Sequence, residues 1–228
     1  MTIIALTTLA GTQSPLNLST ASLSAAGSMS GSVSLESSSN QLAPDIERLK
    51  VGDTIKDFKI PTQYAPNGEK EVSLSTLLQD GPVVVTFFRG SWCPYCRDEL
   101  SDIQDNLKKF EQLNTNVIAI SPEVSEKGSE MAKDLELGFY VAHDENNDLA
   151  RSLGLTFKLD AKTIKKYREY NINVARSNGT RKWELPVPAT YVIDQDFVVR
   201  YVYDDEDYSK RADTKKVLKV IKDMQSED

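Results

Sequence analysis

Trp92-Cys93-Pro94-Tyr95-Cys96 holds both cysteines of the chain, and its position constrains the fold more than any other feature. The apolar run Val83-Val84-Val85-Thr86-Phe87-Phe88 stands just before it. Leu100, Ile103, Leu107 and Phe110 follow at helical spacing. A buried strand therefore enters a short turn, and a helix leaves it with the cysteines at its start. Such a helix N-terminus points unpaired N–H groups and partial positive charge at the sulfurs. That field favours thiolate, the reactive form of cysteine. The spacing thus implies an α/β fold carrying a thiol redox centre.

Other uses of two close cysteines fit less well. A structural zinc site needs four ligands, and this chain has two cysteines and one distant His143. Haem attachment needs His directly after the second cysteine, where Arg97 stands. A disulfide across so short a loop constrains little chain, which excludes a structural staple. Inert buried thiols are not expected in a polar turn beside Pro94 and Tyr95. No cofactor is called for.

The rest of the chain sets bounds. Its 228 residues suit one domain plus a tail; 39% are hydrophobic and 27% charged, as in a soluble globular protein. With a net charge of −7 and no Lys/Arg stripe, nucleic acid is not an expected partner. No apolar run approaches the roughly 20 residues of a membrane span. Residues 1–40 are Ser/Thr-rich and contain neither Lys nor Arg. They read as a disordered tail, with residues 41–228 as the domain. Ile3-Ile4-Ala5-Leu6 lacks the basic flank of a secretory signal. Reactive thiols suit a reducing compartment, so the cytoplasm is expected. A plastid or other organelle reached through the tail is the alternative.

Leu42, Ile46 and Leu49 predict a short leading helix. Asp57 to Pro61 reads as an edge strand, with Asn67-Gly68 as a hairpin turn. Helix is expected from Pro94 to Leu113, then a buried strand at Asn116 to Ile120. Further elements are a helix ending at Gly138, a strand at Phe139 to Ala142 and helices at Asp148–Leu153 and Ala161–Tyr170. A hairpin at Ala189–Asp194 and Phe197–Tyr203 precedes a closing helix from Lys210 to Met224. Together these predict a mixed central sheet with helices on both faces and a right-handed crossover between the strands at Val83 and Val117.

On these residues the chain resembles the thioredoxin superfamily, and within it the peroxiredoxin-like branch of the alkyl hydroperoxide reductase/thiol-specific antioxidant (AhpC/TSA) family. The matching stretches are Val51-Gly52-Asp53 with Asp57-Phe58, then Phe87 to Cys96, Leu149 to Leu155, Trp183 to Asp194 and Asp207 to Arg211. They span about residues 42–225. The resemblance implies a thioredoxin fold with an N-terminal extension. It also implies an antioxidant oxidoreductase whose disulfide is reduced by a thioredoxin-like or glutathione-type thiol donor.

The departures from the family pattern are informative. Peroxiredoxins carry Pro-x-x-x-Thr-x-x-Cys at this turn. Here Arg89 replaces the Pro, Cys93 the Thr, and Cys96 matches the peroxidatic cysteine. The family arginine of the later core strand falls at Pro188. A cis Pro188 is expected, as in thioredoxins, bringing a backbone edge beside the sulfurs. Trp92 is expected to shield them, and Arg89 to supply positive charge. Two orders of attack stay open. Cys96 attacks a hydroperoxide and Cys93 resolves, or Cys93 attacks a protein disulfide and Cys96 resolves. A redox sensor without turnover is the rival outside enzymology. His143 reads as a surface or strand-end side chain rather than a catalytic base, and Arg211 as a solvated helix-start charge, with a reach to the site as the alternative.

Overall fold

The computed structural model describes residues 41–42 and 46–227. The expected tail, residues 1–40, lies outside the described residues. The chain begins its main sheet at β2 (Lys59–Tyr64), after a two-residue strand β1 (Gln41–Leu42). Gly68, at a φ of +77°, makes the expected turn into β3 (Glu71–Ser73). Ser73 caps the short helix α1 (Leu74–Leu77) by accepting from the Thr76 N–H. Then follow β4 (Val83–Phe87), α2 (Pro94–Asp105), α3 (Leu107–Gln112), β5 (Asn116–Ser121), α4 (Ser125–Asp134) and β6 (Tyr140–His143). The second half holds α5 (Asp148–Ser152), β7 (Thr156–Lys158), α6 (Ala161–Glu169), α7 (Val174–Ser177), β8 (Glu184–Pro186), β9 (Ala189–Ile193), β10 (Val199–Asp204) and α8 (Thr214–Glu227).

Seven strands form the central sheet in the order β10-β9-β4-β5-β6-β2-β3. The pairs β4–β5 and β5–β6 are parallel, and the other neighbours antiparallel. All five β4 residues are buried, as a strand covered on both faces requires. Alternation divides them. Val83, Val85 and Phe87 join a core with Leu74, Leu155, Leu185 and Tyr191. Val84 and Phe88 join the opposite core with Leu100, Phe110, Met131, Val217 and Ile221, from α2, α3, α4 and α8. This is the thioredoxin-type layering that the resemblance implies, with the cysteines placed where β4 hands over to α2.

Several sequence expectations need correction. No helix occupies 46–50, and Gln41–Leu42 pairs as a strand with Lys158 and Phe157; residues 43–45 lie outside the description. β2 starts two residues later than read and is interior, flanked by β3 and β6. The helix after the cysteines breaks at Asn106, whose side-chain amide donates to the Asp102 carbonyl. The closing helix starts at Thr214 rather than Lys210. A second sheet, β1-β7-β8, was not read at all. Its strands have two or three residues each, too few to show a period of two. Among the described residues no helix is long and apolar enough to cross a membrane.

Candidate active site

β4 positions the site by ending in a rigid, fully paired strand. Phe88 N–H still donates to the Ile120 carbonyl, and the chain then turns at Gly90. Gly90 has a φ of +148°, and a Cβ there would lie 2.5 Å from the Trp92 indole nitrogen. Glycine is thus required both for the backbone and for the close ring. The Ser91 N–H donates to the buried Glu123 carboxylate at 2.6 Å, which also accepts from the Ser177 hydroxyl at 2.6 Å. Glu123 fixes the turn from outside. Cys93 N–H closes it onto the Gly90 carbonyl at 3.1 Å.

Cys93 is the N-cap of α2, and Pro94, which lacks an N–H, occupies the first turn. Cys96 lies one turn inside. Both are reduced, and both are fully buried. The polar, open turn expected from sequence is therefore closed over, by side chains from distant segments. Arg89, itself buried, donates to Cys93 Sγ at 3.2 Å and to the Tyr167 hydroxyl at 2.7 Å. Its guanidinium stacks 3.9 Å from the Tyr208 ring centroid and 5.1 Å from that of Trp92. Trp92 meets Tyr167 edge-on at 5.8 Å, and Tyr95 meets Tyr208 at 5.9 Å. Trp92 thus walls the Arg89 side of the site.

Arg211 is not a solvated charge. Its guanidinium donates to Cys96 Sγ at 3.3 Å, reaches Cys93 Sγ at 4.0 Å and pairs with Glu99 at 2.7 Å. Glu99 sits one helical turn beyond Cys96, with the Thr86 and Thr190 hydroxyls at 3.3 and 3.4 Å. These threonines face each other across the β4–β9 register. A cavity of about 10 Å³, room for one water, lies beside Glu99 and is lined by Thr190, Ile103, Phe110, Ala212 and Thr214.

The electrostatics separate the two sulfurs. A hydrogen bond from the Cys96 thiol, opposed by burial and reinforced by the charge and hydrogen bond of Arg89, holds Cys93 down at about 5. Burial, with the adjacent Cys93 sulfur, pushes Cys96 well above the ordinary thiol value. Burial also raises Glu99 to about 7, against the pull of Arg211, Thr86 and Thr190. At neutral pH the site therefore holds a thiolate at Cys93 beside a protonated thiol at Cys96. The two sulfurs and two guanidinium groups lie within one buried cluster.

The structure brings Arg89, Trp92, Cys93 and Cys96 together, as expected from sequence. It does not support the expectation for Pro188. No peptide bond among the described residues is cis, so Pro188 is trans. It lies buried in the link from β8 to β9, and Val187 N–H is tied to the Leu155 carbonyl just before β7. That tie holds the link beside β7 without a cis bond. His143 ends β6 with Nδ1 at 2.7 Å from the Glu123 carbonyl, a strand-end role. Glu99, Tyr167 and Tyr208 were missed. Only Glu99 left a readable signal, an acidic residue inside the buried stripe Cys96, Leu100 and Ile103. Among the described residues no three His, Cys, Asp or Glu side chains gather as metal ligands.

Comparison with known proteins accords with this geometry. Peroxidoxin BcpB from Mycobacterium tuberculosis superposes with a TM-score of 0.61 at 25% identity, covering 78% of this chain and 99% of that one. Peroxiredoxin Q, chloroplastic, of Sedum lineare is 28% identical over 177 residues, which is 77% of this chain and 81% of the relative. Putative peroxiredoxin Rv1608c of M. tuberculosis (strain ATCC 25618 / H37Rv) is 29% identical over 107 residues, covering 47% of this chain and 67% of the relative. The family model described as "AhpC/TSA family" matches residues 51–202, two-thirds of the chain and the whole strand–turn–helix that carries the cysteines, so the chain belongs to the AhpC/TSA family.

Proposed function

We propose that this chain is a thiol-dependent peroxidase that cycles Cys93 and Cys96 between dithiol and disulfide, with Cys93 attacking first. One observation carries the reading: Arg89 donates to the Cys93 sulfur inside a buried pair whose other thiol stays protonated. The Cys93 thiolate attacks the O–O bond of a hydroperoxide. Sulfur takes one oxygen as a sulfenic acid, and the other leaves with a proton as an alcohol or water. Cys96 condenses with the sulfenic acid, water departs, and an external thiol donor of thioredoxin-like or glutathione type reduces the disulfide. Arg89 and Arg211 are placed to stabilise negative charge on the leaving oxygen.

The burial of both sulfurs favours a small hydroperoxide over a protein disulfide, which needs a far larger opening. The trans Pro188 also weakens the disulfide-reductase reading, which drew on a cis bond there. The order of attack still departs from the family pattern, in which Cys96 matches the peroxidatic position. A low-titrating first cysteine is the observation in favour of the second reading, protein disulfide reduction. Stopped-flow tryptophan fluorescence separates the two. Reduced protein mixed with hydroperoxide gives a concentration-dependent fast phase if it is a peroxidase. No phase, together with rapid insulin reduction, would favour the reductase. The chloroplastic relatives support the organelle alternative for localisation. A fluorescent fusion of residues 1–40, expressed in plastid-bearing cells, tests it by import or cytoplasmic retention.

A further inference from the structure

The peroxidase cycle uses Cys96 as a resolving thiol, yet the site holds that thiol protonated, so its proton needs an acceptor. Three groups in sequence address this. Cys96 Sγ accepts from Arg211 Nη2 at 3.3 Å, and Arg211 Nε lies 2.7 Å from Glu99 Oε2. Glu99 and Arg211 are 6% and 12% exposed at the side chain, so water screens little of their mutual field. The other charged or titratable groups facing Cys96 are Cys93 and Arg89 from the turn and the Tyr167 phenol of α6. β4 and β9 offer Glu99 only the Thr86 and Thr190 hydroxyls, and α8 lines its cavity with Thr214 and Val217, neither charged.

We infer that Glu99 is a positioning residue for the second thiol: acting through Arg211, it exchanges protonation with Cys96, so that Cys96 becomes a thiolate as Glu99 becomes neutral. An ionised Glu99 neutralises Arg211 and leaves Cys96 its proton. A neutral Glu99 turns the full Arg211 charge on Cys96 and favours the thiolate. The two titrations belong to one coupled pair. In the condensation the Cys96 S–H bond breaks and its electron pair forms the S–S bond. The Cys93 S–O bond breaks, and the departing hydroxide takes up a proton to leave as water. Arg211, which only donates, relays no proton; Glu99 becomes neutral as Cys96 ionises, so the pair keeps its net charge until the hydroxide leaves as water. A burial that raises Glu99 to about 7 suits that task.

The inference rests on the dithiol cycle proposed above, but its test does not. In the full chain with Cys93→Ser, ultraviolet thiolate absorbance follows Cys96 alone against pH. Adding Glu99→Gln removes the carboxylate charge at constant shape and should move the Cys96 midpoint down by about one pH unit, a tenfold gain in thiolate. If Glu99 merely holds Arg211 in place, the amide loosens it and the midpoint rises. A rise, or no change, overturns the inference. Should that variant not fold, carbon-13 NMR of the Glu-labelled, otherwise unaltered chain reads Glu99 directly. A midpoint near 7 is expected; one below about 5, in the ordinary carboxylate range, overturns it. Neither measurement needs peroxide turnover, so failure of the coupling and failure of the peroxidase reading give different results.

Discussion

Arg89→Met should remove most of the Cys93 thiolate at pH 6 while leaving the fold in place. Cys93 is held at about 5 against an ordinary thiol value of 9.0. That difference corresponds to about 5 kcal/mol in favour of the charged form, at about 1.4 kcal/mol per unit. The Cys96 hydrogen bond is the largest contribution, with the charge and the hydrogen bond of Arg89 next among those that lower it. A single opposite charge in contact typically moves a titration by about 1–3 units. Removing Arg89 should thus bring Cys93 to roughly 7. At pH 6 the thiolate fraction then falls from about nine-tenths to about one-tenth. Methionine fills the buried stem position between Trp92 and Tyr208, so lost packing is small. The assay is thiolate absorbance against pH, paired with the hydroperoxide phase followed by stopped flow. The rate at pH 6 should drop at least tenfold, and the deficit should narrow toward pH 9 as the thiolate returns. A Cys93 midpoint that stays near 5 would refute the reasoning, because the 3.2 Å contact would then carry no electrostatic weight.

The remaining predictions concern other contacts. In the unaltered chain, iodoacetamide should label Cys93 before Cys96. Its rate should hold from neutral pH down to about 6 and fall as pH drops through about 5, since a depressed titration keeps the anion present above that point. Cys96→Ala removes the thiol hydrogen bond, so the same alkylation profile should move to higher pH by about a unit or more. Gly90→Ala drives a Cβ into the Trp92 ring at a positive φ; urea unfolding should show a loss of about 1–3 kcal/mol, with a shifted tryptophan emission. Phe87→Ala empties a core position packed edge-on against Tyr191 and should cost about 3–5 kcal/mol by the same assay.

What the sequence revealed, and what it hid, follows from how local each feature is. The β4 run, the helix after the cysteines and Asn67-Gly68 were readable because periodicity and turn chemistry act over a few neighbours. Arg89, Trp92, Cys93 and Cys96 were readable for the same reason: they lie within eight residues of one another. Arg211 reaches the sulfurs, and Tyr167 and Tyr208 reach Arg89, from segments 70 or more residues away, and only the completed sheet brings them there. Arg211 was misjudged because a helix-start arginine in an acidic stretch has the composition of a solvated loop. Its burial depends on Glu99, whose own partner could not be read from α2 alone. Pro188 was misjudged in the other direction. The expectation came from thioredoxins, and the small sheet beside the Val187 tie has strands too short to leave a pattern.

The central claim is that Cys93 attacks hydroperoxide and Cys96 resolves. Peptide mass mapping after one equivalent of hydroperoxide tests it most directly, on the unaltered chain, on Cys96→Ser and on Cys93→Ser, with a sulfenic-acid trap present. The account predicts loss of two hydrogens from the peptide spanning both cysteines in the unaltered chain. It predicts a trapped sulfenic acid on Cys93 in Cys96→Ser, and an unreacted Cys96 in Cys93→Ser. A trapped Cys96 in Cys93→Ser with an unmodified Cys93 in Cys96→Ser would contradict it and assign the first attack to Cys96.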